Sequence, residues 1–82
     1  MRKIEQKIVD AYNNGRHFVG GNTEVFPNGD VNLYGNNIVR GREVNTATLA
    51  RWPTSTTCSR LRALGFHVNV VKGVPHLDGE AV

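Results

Sequence analysis

The sequence predicts an α+β fold with an amino-terminal helix, an antiparallel meander of about four strands, a short second helix and a carboxyl-terminal β-hairpin. Apolar residues recur at helical spacing near the start of the chain, and short alternating runs between Gly- and Asn-rich turns follow. The segment WPTSTTCSRLRALG, residues 52–65, then combines a helix-capping signal with a second apolar stripe. A chain of 82 residues forms a single domain, 1–82, around one small core.

The first predicted element is a helix over residues 2–13. Its apolar residues follow three- and four-residue steps, the spacing of one helix face, and are Met1, Ile4, Ile8, Ala11 and Tyr12. The segment Asn13-Asn14-Gly15 tolerates left-handed backbone, which commonly ends a helix. One face of this helix should therefore pack on the rest of the domain.

Short strands are predicted between residues 23 and 50. The four runs are 23–26, 31–34, 38–42 and 44–50, and turn signals at 27–30 and 35–37 separate the first three. The last run, Val44 to Ala50, alternates Thr with apolar residues and favours a strand because it is partly β-branched. These connections are too short for parallel crossovers, so the strands should be antiparallel.

A second helix is predicted from Thr54 or Ser55, either of which can cap it, to Gly65. A helix of about ten residues does not stand alone in water, so its apolar face must be docked. The residues of that face are Cys58, Leu61 and Leu64. Residues 66–77 then alternate around a turn at 71–75, which predicts a closing hairpin.

The predicted core lies between the two helices and one face of the sheet. Its members are Ile4, Ile8, Tyr12, Leu61, Leu64, Val25, Val31, Leu33, Ile38, Val44 and Leu49. The polar residues expected to point away from it are Asn32, Arg40, Arg42 and Thr48. Trp52 is expected to be buried in the core rather than to stack a base. The open sheet face and edges favour a homodimer.

Positive charge is concentrated in one part of the chain. Ten Lys and Arg against seven Asp and Glu give a formal net charge of +3. Residues 40–62 hold five arginines and one glutamate, which is five minus one, or +4, so the remainder carries −1. A local patch of this kind suits a polyanion or an acidic protein surface.

Several classes of protein are excluded by the remaining composition. The single cysteine, Cys58, cannot form an internal disulfide or complete a zinc ribbon. The charged amino terminus and the lack of a long apolar run predict no secretory signal and no membrane partner. No base is spaced to activate Ser59 or Cys58 and no P-loop lysine follows the glycines, so we predict neither an enzyme nor a cofactor.

Two of the three histidines are candidate metal ligands. His67 and His76 could face each other across the last hairpin. A metal site needs three or four converging ligands, and no third group accompanies this pair, so no metal site is expected.

Three segments together resemble a known family. They are MRKIEQ at 1–6, LYGNNI at 33–38 and the pattern W-x-T-x-T-T-x-S-R-L-x-A-L from Trp52 to Leu64. The resemblance covers most of the chain and is to a family of short proteins from tailed bacteriophages. It implies a phage-encoded protein in the cytoplasm of an infected host, and it implies no particular activity or functional residues.

A binding surface is predicted around the second helix. Free backbone N–H groups and hydroxyls at a helix start, followed by arginines, suit phosphate oxygens, and the next hairpin lies where a winged-helix protein has its wing. The predicted nucleic-acid-binding residues are Arg40, Arg42, Arg51, Thr56, Thr57, Arg60, Arg62 and Lys72. The alternative is that the hydroxyls only cap the helix and the arginines form a solvated face.

Three functions stay open at this point. The first is a small phage accessory protein that binds DNA or RNA through the arginine-rich surface. The second is an interaction protein that binds and modulates a host protein, and the third and weakest is a virion or assembly component. An arginine patch suits both a polyanion and an acidic host protein, so charge alone does not separate the first two.

Overall fold

The computed structural model describes residues 3–82 and confirms the α+β class. Its elements are, in chain order, α1 (Lys3–Asn14), β1 (Phe18–Gly20), β2 (Thr23–Val25), β3 (Val31–Leu33), β4 (Asn36–Arg40), β5 (Glu43–Val44), α2 (Thr46–Arg51), α3 (Ser55–Ala63), β6 (Val68–Val71), β7 (Val74–Leu77) and β8 (Glu80–Ala81). The helix predicted over 2–13 is therefore confirmed as α1. The predicted start at residue 2, and Met1 of the apolar stripe, lie outside the described residues.

Two antiparallel sheets are present. The first sheet is a five-stranded meander in the order β1-β2-β3-β4-β5, and the second sheet has three strands in the order β6-β7-β8. A register shift between Val31 and Asn32 marks a β-bulge in the β3–β4 pair. Such a bulge explains why two successive β4 residues, Ile38 and Val39, are both buried.

Five of the hairpin turns consist of two residues, both with positive φ. They are 21–22, 34–35, 41–42, 72–73 and 78–79. Positive φ at both positions is the type I′ geometry, which matches the twist of the flanking strands. Glycine occupies one position of every pair, whereas Tyr34, Arg42 and Lys72 adopt a left-handed conformation that side chains such as theirs disfavour.

The predicted core is largely confirmed. Its buried members are Ile8, Tyr12, Leu61, Leu64, Val25, Val31, Leu33, Ile38 and Leu49. Ile4 and Val44 are partly buried against this cluster, as is Trp52. Thr48, which was expected to point away from the core, is buried, because it lies on the inner face of a helix and not on a strand.

The strand predicted over Val44 to Ala50 is wrong. Only Glu43–Val44 pairs with β4, and Thr46–Arg51 forms the short helix α2. The Asn45 side chain caps this helix by accepting a hydrogen bond from the Thr48 backbone N–H at 3.2 Å. A good N-cap followed by Ala and Leu outweighs the β-propensity of the threonines.

Two strands were not predicted. β1 is only three residues long, so it shows no readable alternation, and β8 turns the expected closing hairpin into a three-stranded sheet. The turn expected at residues 35–37 lies instead at 34–35, and Asn36 and Asn37 belong to β4.

Candidate interaction surface

The hydroxyl groups at the start of α3 mostly serve the helix itself. Thr54 is the N-cap, and its Oγ1 accepts a hydrogen bond from the Thr57 backbone N–H at 3.1 Å. The two threonine hydroxyls are also hydrogen-bonded to each other at 2.9 Å. Thr57 is fully buried, so its prediction as an outward-facing residue is wrong, while Thr56 is half-buried.

Arg60 lies inside the protein, contrary to the predicted outward position. It is 5% exposed, and its Nη1 donates to Glu5 Oε2 on α1 at 2.8 Å. Its Nε donates to the Thr23 hydroxyl at 3.2 Å and its Nη2 to the Gly21 carbonyl at 3.4 Å. The guanidinium therefore joins α3 to α1 and to the first β-hairpin.

Glu5 is the residue that explains this inward arginine. It lies on the apolar face of α1 and also accepts a hydrogen bond from the Ser59 hydroxyl at 2.8 Å. A buried carboxylate is tolerated only where a charge and hydrogen bonds compensate it. A glutamate within an apolar stripe is a sequence signal for such a cation, although it does not identify which one.

Arg42 also has a structural role, even though it is exposed. Its guanidinium lies 4.8 Å from the centre of the Tyr12 ring, and its Nη2 donates to the Tyr12 carbonyl at 3.0 Å. That carbonyl is in the last turn of α1, where a cation is favourable. The stem of Arg42 packs on Gly29, where an added Cβ would lie 2.6 Å from Arg42 Cγ.

Burial of the Tyr12 side chain raises the pKa of its phenol, while the charge of Arg42 and its hydrogen bond act in the opposite direction. Arg42 thus contributes to how the end of α1 packs on the loop before β3. These contacts do not favour a role in phosphate binding.

The other predicted cations lie on separate elements. Arg40 is opposite Glu43 in the β4–β5 pair, Arg51 ends α2, and Lys72 forms the tip of the β6–β7 hairpin, all three exposed. Arg62, on α3, donates from Nε to the Val68 carbonyl at 2.7 Å. Arg60 and Arg42 are engaged within the protein, so the predicted arginine surface is reduced to these scattered cations.

The second sheet has one face docked on the body of the protein and one face in solvent. Directly opposed residues of an antiparallel pair share a face, so Val68 and Leu77 lie on one side and Asn69 and His76 on the other. Val68 is 1% exposed and Leu77 packs against the core. The base of this sheet is therefore held firmly on the domain.

The far end of the same sheet is apolar and exposed. Val71 and Val74 oppose each other beside the turn and are 51% and 43% exposed. On the docked face, Val70 is 41% exposed while Pro75, directly opposite it, is buried, so the exposed part of the hairpin is the end around the turn. We call residues 70–74, which are Val-Val-Lys-Gly-Val, the hairpin tip.

A shallow concavity of about 330 Å³ adjoins the base of this hairpin. It is lined by residues at the end of α3 and the start of β6, including Arg62, Phe66 and Asn69. The edge strand β6 contributes Val68 and Asn69 to this lining. The Val68 carbonyl accepts a hydrogen bond from Arg62 Nε. Arg62 covers that carbonyl, which protects the edge strand from unwanted pairing.

The histidines do not form the arrangement considered from the sequence. His76 is opposite Asn69 rather than His67, and the His67 carbonyl accepts from the Asp78 N–H, so the predicted face-to-face pair is wrong. Within residues 3–82, no three His, Cys, Asp or Glu side chains are close enough to hold a metal ion. Cys58 is buried, as its position on the apolar face of α3 predicted.

Over the same described residues, the helices are too short or too polar to cross a bilayer. The family model described as Kyanoviridae Gp96 protein matches residues 1–81. The chain belongs to this family of phage proteins.

Membership of the Kyanoviridae Gp96 family agrees with the resemblance to tailed-phage proteins noted in the sequence. No curated protein and no solved structure matches the chain.

Proposed function

We propose that this phage protein is an interaction protein that binds a host protein through the hairpin tip. The observation that carries the proposal is the pair of exposed valines, Val71 and Val74, opposed on the solvent face beside the turn, with Val70 41% exposed on the other face. Isolated exposed apolar residues are ordinary, but two directly opposed valines beside a turn favour a contact surface. The tip would insert into the partner as a small apolar knob.

The chemistry of the tip indicates what the partner offers. Three valine side chains need an apolar pocket that excludes water, and Lys72 at the apex favours a carboxylate at its rim. One lysine is little positive charge for a nucleic-acid backbone, where affinity depends on several phosphate contacts. An apolar pocket bordered by acidic residues is therefore the expected partner surface.

The hairpin tip is also preorganised for binding. Its two-residue turn, Lys72-Gly73, has the type I′ geometry that holds both strands in register, and the base of the hairpin is docked through Val68. Rigid elements lose less conformational entropy on association than flexible loops. Such a knob can bind with only a few contacts.

The proposal is tested with Val71→Thr/Val74→Thr. Threonine keeps the β-branched shape, so the strands persist, while the apolar surface is removed. Val19→Thr, a change at another exposed valine on β1, is the matched control. Tagged wild-type and variant proteins are incubated with nuclease-treated host lysate, and the captured host protein is purified and its affinity measured directly.

We expect the wild type and Val19→Thr to bind this purified host protein equally and the double variant to bind at least about tenfold more weakly, since each buried valine contributes 1 kcal/mol or more. Equal binding by the double variant would contradict a role for the tip. Loss of all partners after nuclease treatment, with retention of labelled DNA or RNA at moderate salt, would favour the nucleic-acid hypothesis instead.

A further inference from the structure

A row of polar side chains crosses the outer face of the first sheet, opposite the helices. Its members, in order across the sheet, are His17, Glu24, Asn32, Asn37 and Asn45. Glu24 is directly opposite Asn32, and Asn32 is directly opposite Asn37. The row is continuous from one side of the meander to the other.

A chain of hydrogen bonds that starts at Asn45 orients the asparagine side chains of this row. Asn45 is fixed because its side-chain oxygen caps α2, and its Nδ2 donates to Asn37 Oδ1 at 2.9 Å. Asn37 Nδ2 in turn donates to Asn32 Oδ1 at 3.1 Å and to the Val39 carbonyl at 2.9 Å. The amide of Asn32 is thereby held with its oxygen engaged. Among residues 3–82, no acceptor pairs with its Nδ2 group.

The other end of the row holds a carboxylate in place. His17 Nε2 is hydrogen-bonded to Glu24 Oε2 at 2.8 Å, and the His17 ring packs on Phe26 with 5.7 Å between ring centres. Glu24 Oε1 has no hydrogen-bond partner within the described part of the chain. An oriented amide donor and an open carboxylate acceptor therefore lie side by side on neighbouring strands.

This pair borders a shallow concavity of about 390 Å³ whose rim includes an exposed aromatic ring. Tyr34 lines the concavity and is 57% exposed, and Trp52 supports its ring from the side in an edge-to-face contact at 6.1 Å. Tyr34 occupies the first position of a type I′ turn at φ +50, where Asn or Gly is ordinarily preferred. An exposed aromatic kept in a strained position beside free polar groups points to binding.

We propose that this concavity, the sheet-face site, binds a neutral sugar ring. The apolar face of a sugar stacks on Tyr34, and two adjacent hydroxyl groups complete the polar pair, one donating to Glu24 Oε1 and the other accepting from Asn32 Nδ2. Each hydroxyl can both donate and accept, so a vicinal diol suits this donor–acceptor pair.

The charge of the sheet-face site selects against phosphate-bearing ligands. Among residues 3–82, no lysine or arginine lines it, and Glu24 contributes a negative charge. A phosphate placed there would meet a carboxylate without a compensating guanidinium or ammonium group. A neutral polyhydroxyl ligand avoids this repulsion, so we place carbohydrate before nucleotide.

The inference goes beyond the protein contact proposed above and does not depend on it. The sheet-face site is on the first sheet, whereas the hairpin tip belongs to the second sheet. Either proposal can therefore fail without the other.

The test is a titration followed by two-dimensional ¹H–¹⁵N NMR, which detects weak binding and resolves the Asn32 side-chain amide. The probes are maltotriose, cellotriose and N,N′-diacetylchitobiose, each up to about 10 mM, a range that reveals dissociation constants on the order of 10 mM. Guanosine monophosphate is titrated in parallel as the nucleotide probe.

We expect at least one sugar to shift the Asn32 side-chain signals together with backbone signals of residues 22–24 and 32–35. Tyr34→Asn keeps the positive φ and removes the ring, so it should weaken binding about tenfold. Glu24→Gln should also weaken it, and Lys7→Ala, an exposed change on α1, should not.

Shifts that survive Tyr34→Asn, or shifts elsewhere on the protein, would overturn the assignment of the site. Saturation by guanosine monophosphate with no response to any sugar would overturn the ligand class. A flat titration with all four probes would overturn the proposal as a whole.

Discussion

Two regions of the protein differ in which side chains they bury. One is the body, formed by the three helices and the first sheet, and the other is the second sheet. The body buries an ion pair, Arg60 with Glu5, and surrounds it with hydrogen bonds. The hairpin tip leaves Val70, Val71 and Val74 in solvent. A buried charge is unfavourable unless it is paired, and the Arg60–Glu5 ion pair meets that condition. Exposed apolar side chains are unfavourable in water, and the proposed partner contact would bury them.

The contrast separates stability from recognition. The buried pair links α1, α3 and the β1–β2 hairpin, so its loss should weaken the whole domain. The valines of the tip have few neighbours to lose, so their loss should affect a partner more than the fold. Mutations in the two regions should therefore differ strongly in their effect on unfolding.

The largest effect is expected for Arg60→Met. Removal of Arg60 breaks its buried 2.8 Å ion pair with Glu5, which costs about 3–5 kcal/mol of unfolding free energy. Urea denaturation followed by circular dichroism measures the loss. Arg51→Ala, at an exposed arginine on α2, is the control and should change stability by less than about 0.5 kcal/mol.

If Arg60→Met does not fold, a second variant keeps the prediction testable. Glu5→Gln combined with Arg60→Met removes both charges, so the double variant should be more stable than Arg60→Met alone. A double variant no more stable than the single one would mean that the charge pair is not the source of the loss.

The next largest loss of stability is expected at the docked base of the second sheet. Val68→Ala removes buried methyl groups at the docked base and should cost about 2 kcal/mol. Val71→Ala, three residues further along the same strand, should stay within about 0.5 kcal/mol because it is half exposed. Equal losses at the two positions would show that the hairpin tip is not free of the body.

A smaller loss is expected at the start of α3. Thr54→Ala removes the N-cap oxygen that accepts from the Thr57 N–H and should cost about 1 kcal/mol. Thr54→Ser, which keeps the hydroxyl, should retain most of the stability. The comparison of their thermal midpoints measures how much the hydroxyl-rich segment contributes to folding rather than to binding.

A small gain is expected at the hairpin tip. Lys72 has φ +51 in the turn, a conformation that asparagine adopts more readily, so Lys72→Asn should raise the unfolding free energy by about 0.5 kcal/mol. Its affinity for the host protein should fall, because the rim carboxylate proposed above loses its cation. A stabilised variant with unchanged affinity would count against that part of the proposal.

The smallest effect concerns the alkaline limit of stability. Burial raises the pKa of Tyr12 above its ordinary value of 10.0, so the neutral phenol is favoured in the folded state. The associated stability is complete below about pH 10 and is lost as the pH rises through the folded-state pKa. Urea midpoints measured between neutral and alkaline pH should fall for the wild type and fall less for Tyr12→Phe.

Much of the fold followed from local patterns. The apolar spacing of α1 and the capping threonine and apolar stripe of α3 are local features, and both helices formed where expected. The strand prediction after Val44 is wrong because β-propensity depends on the packing around a strand, whereas the Asn45 cap favours a helix locally. The three residues of β1 were too few to show any period.

The candidate sites were harder to predict because they depend on partners distant in sequence. Arg60 and Glu5 are 55 residues apart in the sequence, and only folding brings them into contact. The same holds for the Asn32–Asn37–Asn45 chain of amides, which needs strand register to form. The sequence does not distinguish the valines of the hairpin tip from the buried Val68, because only the tertiary structure shows which of them the body covers.

The amino-acid sequence by itself determined the class of fold and the apolar faces of the first and third helices, because the spacing of apolar residues is a local property. Tertiary structure alone decided which arginine is buried, which valines are left in solvent and which asparagine keeps a free donor. Burial and hydrogen-bond partnership are set by what packs around a residue, and those neighbours come from other parts of the chain.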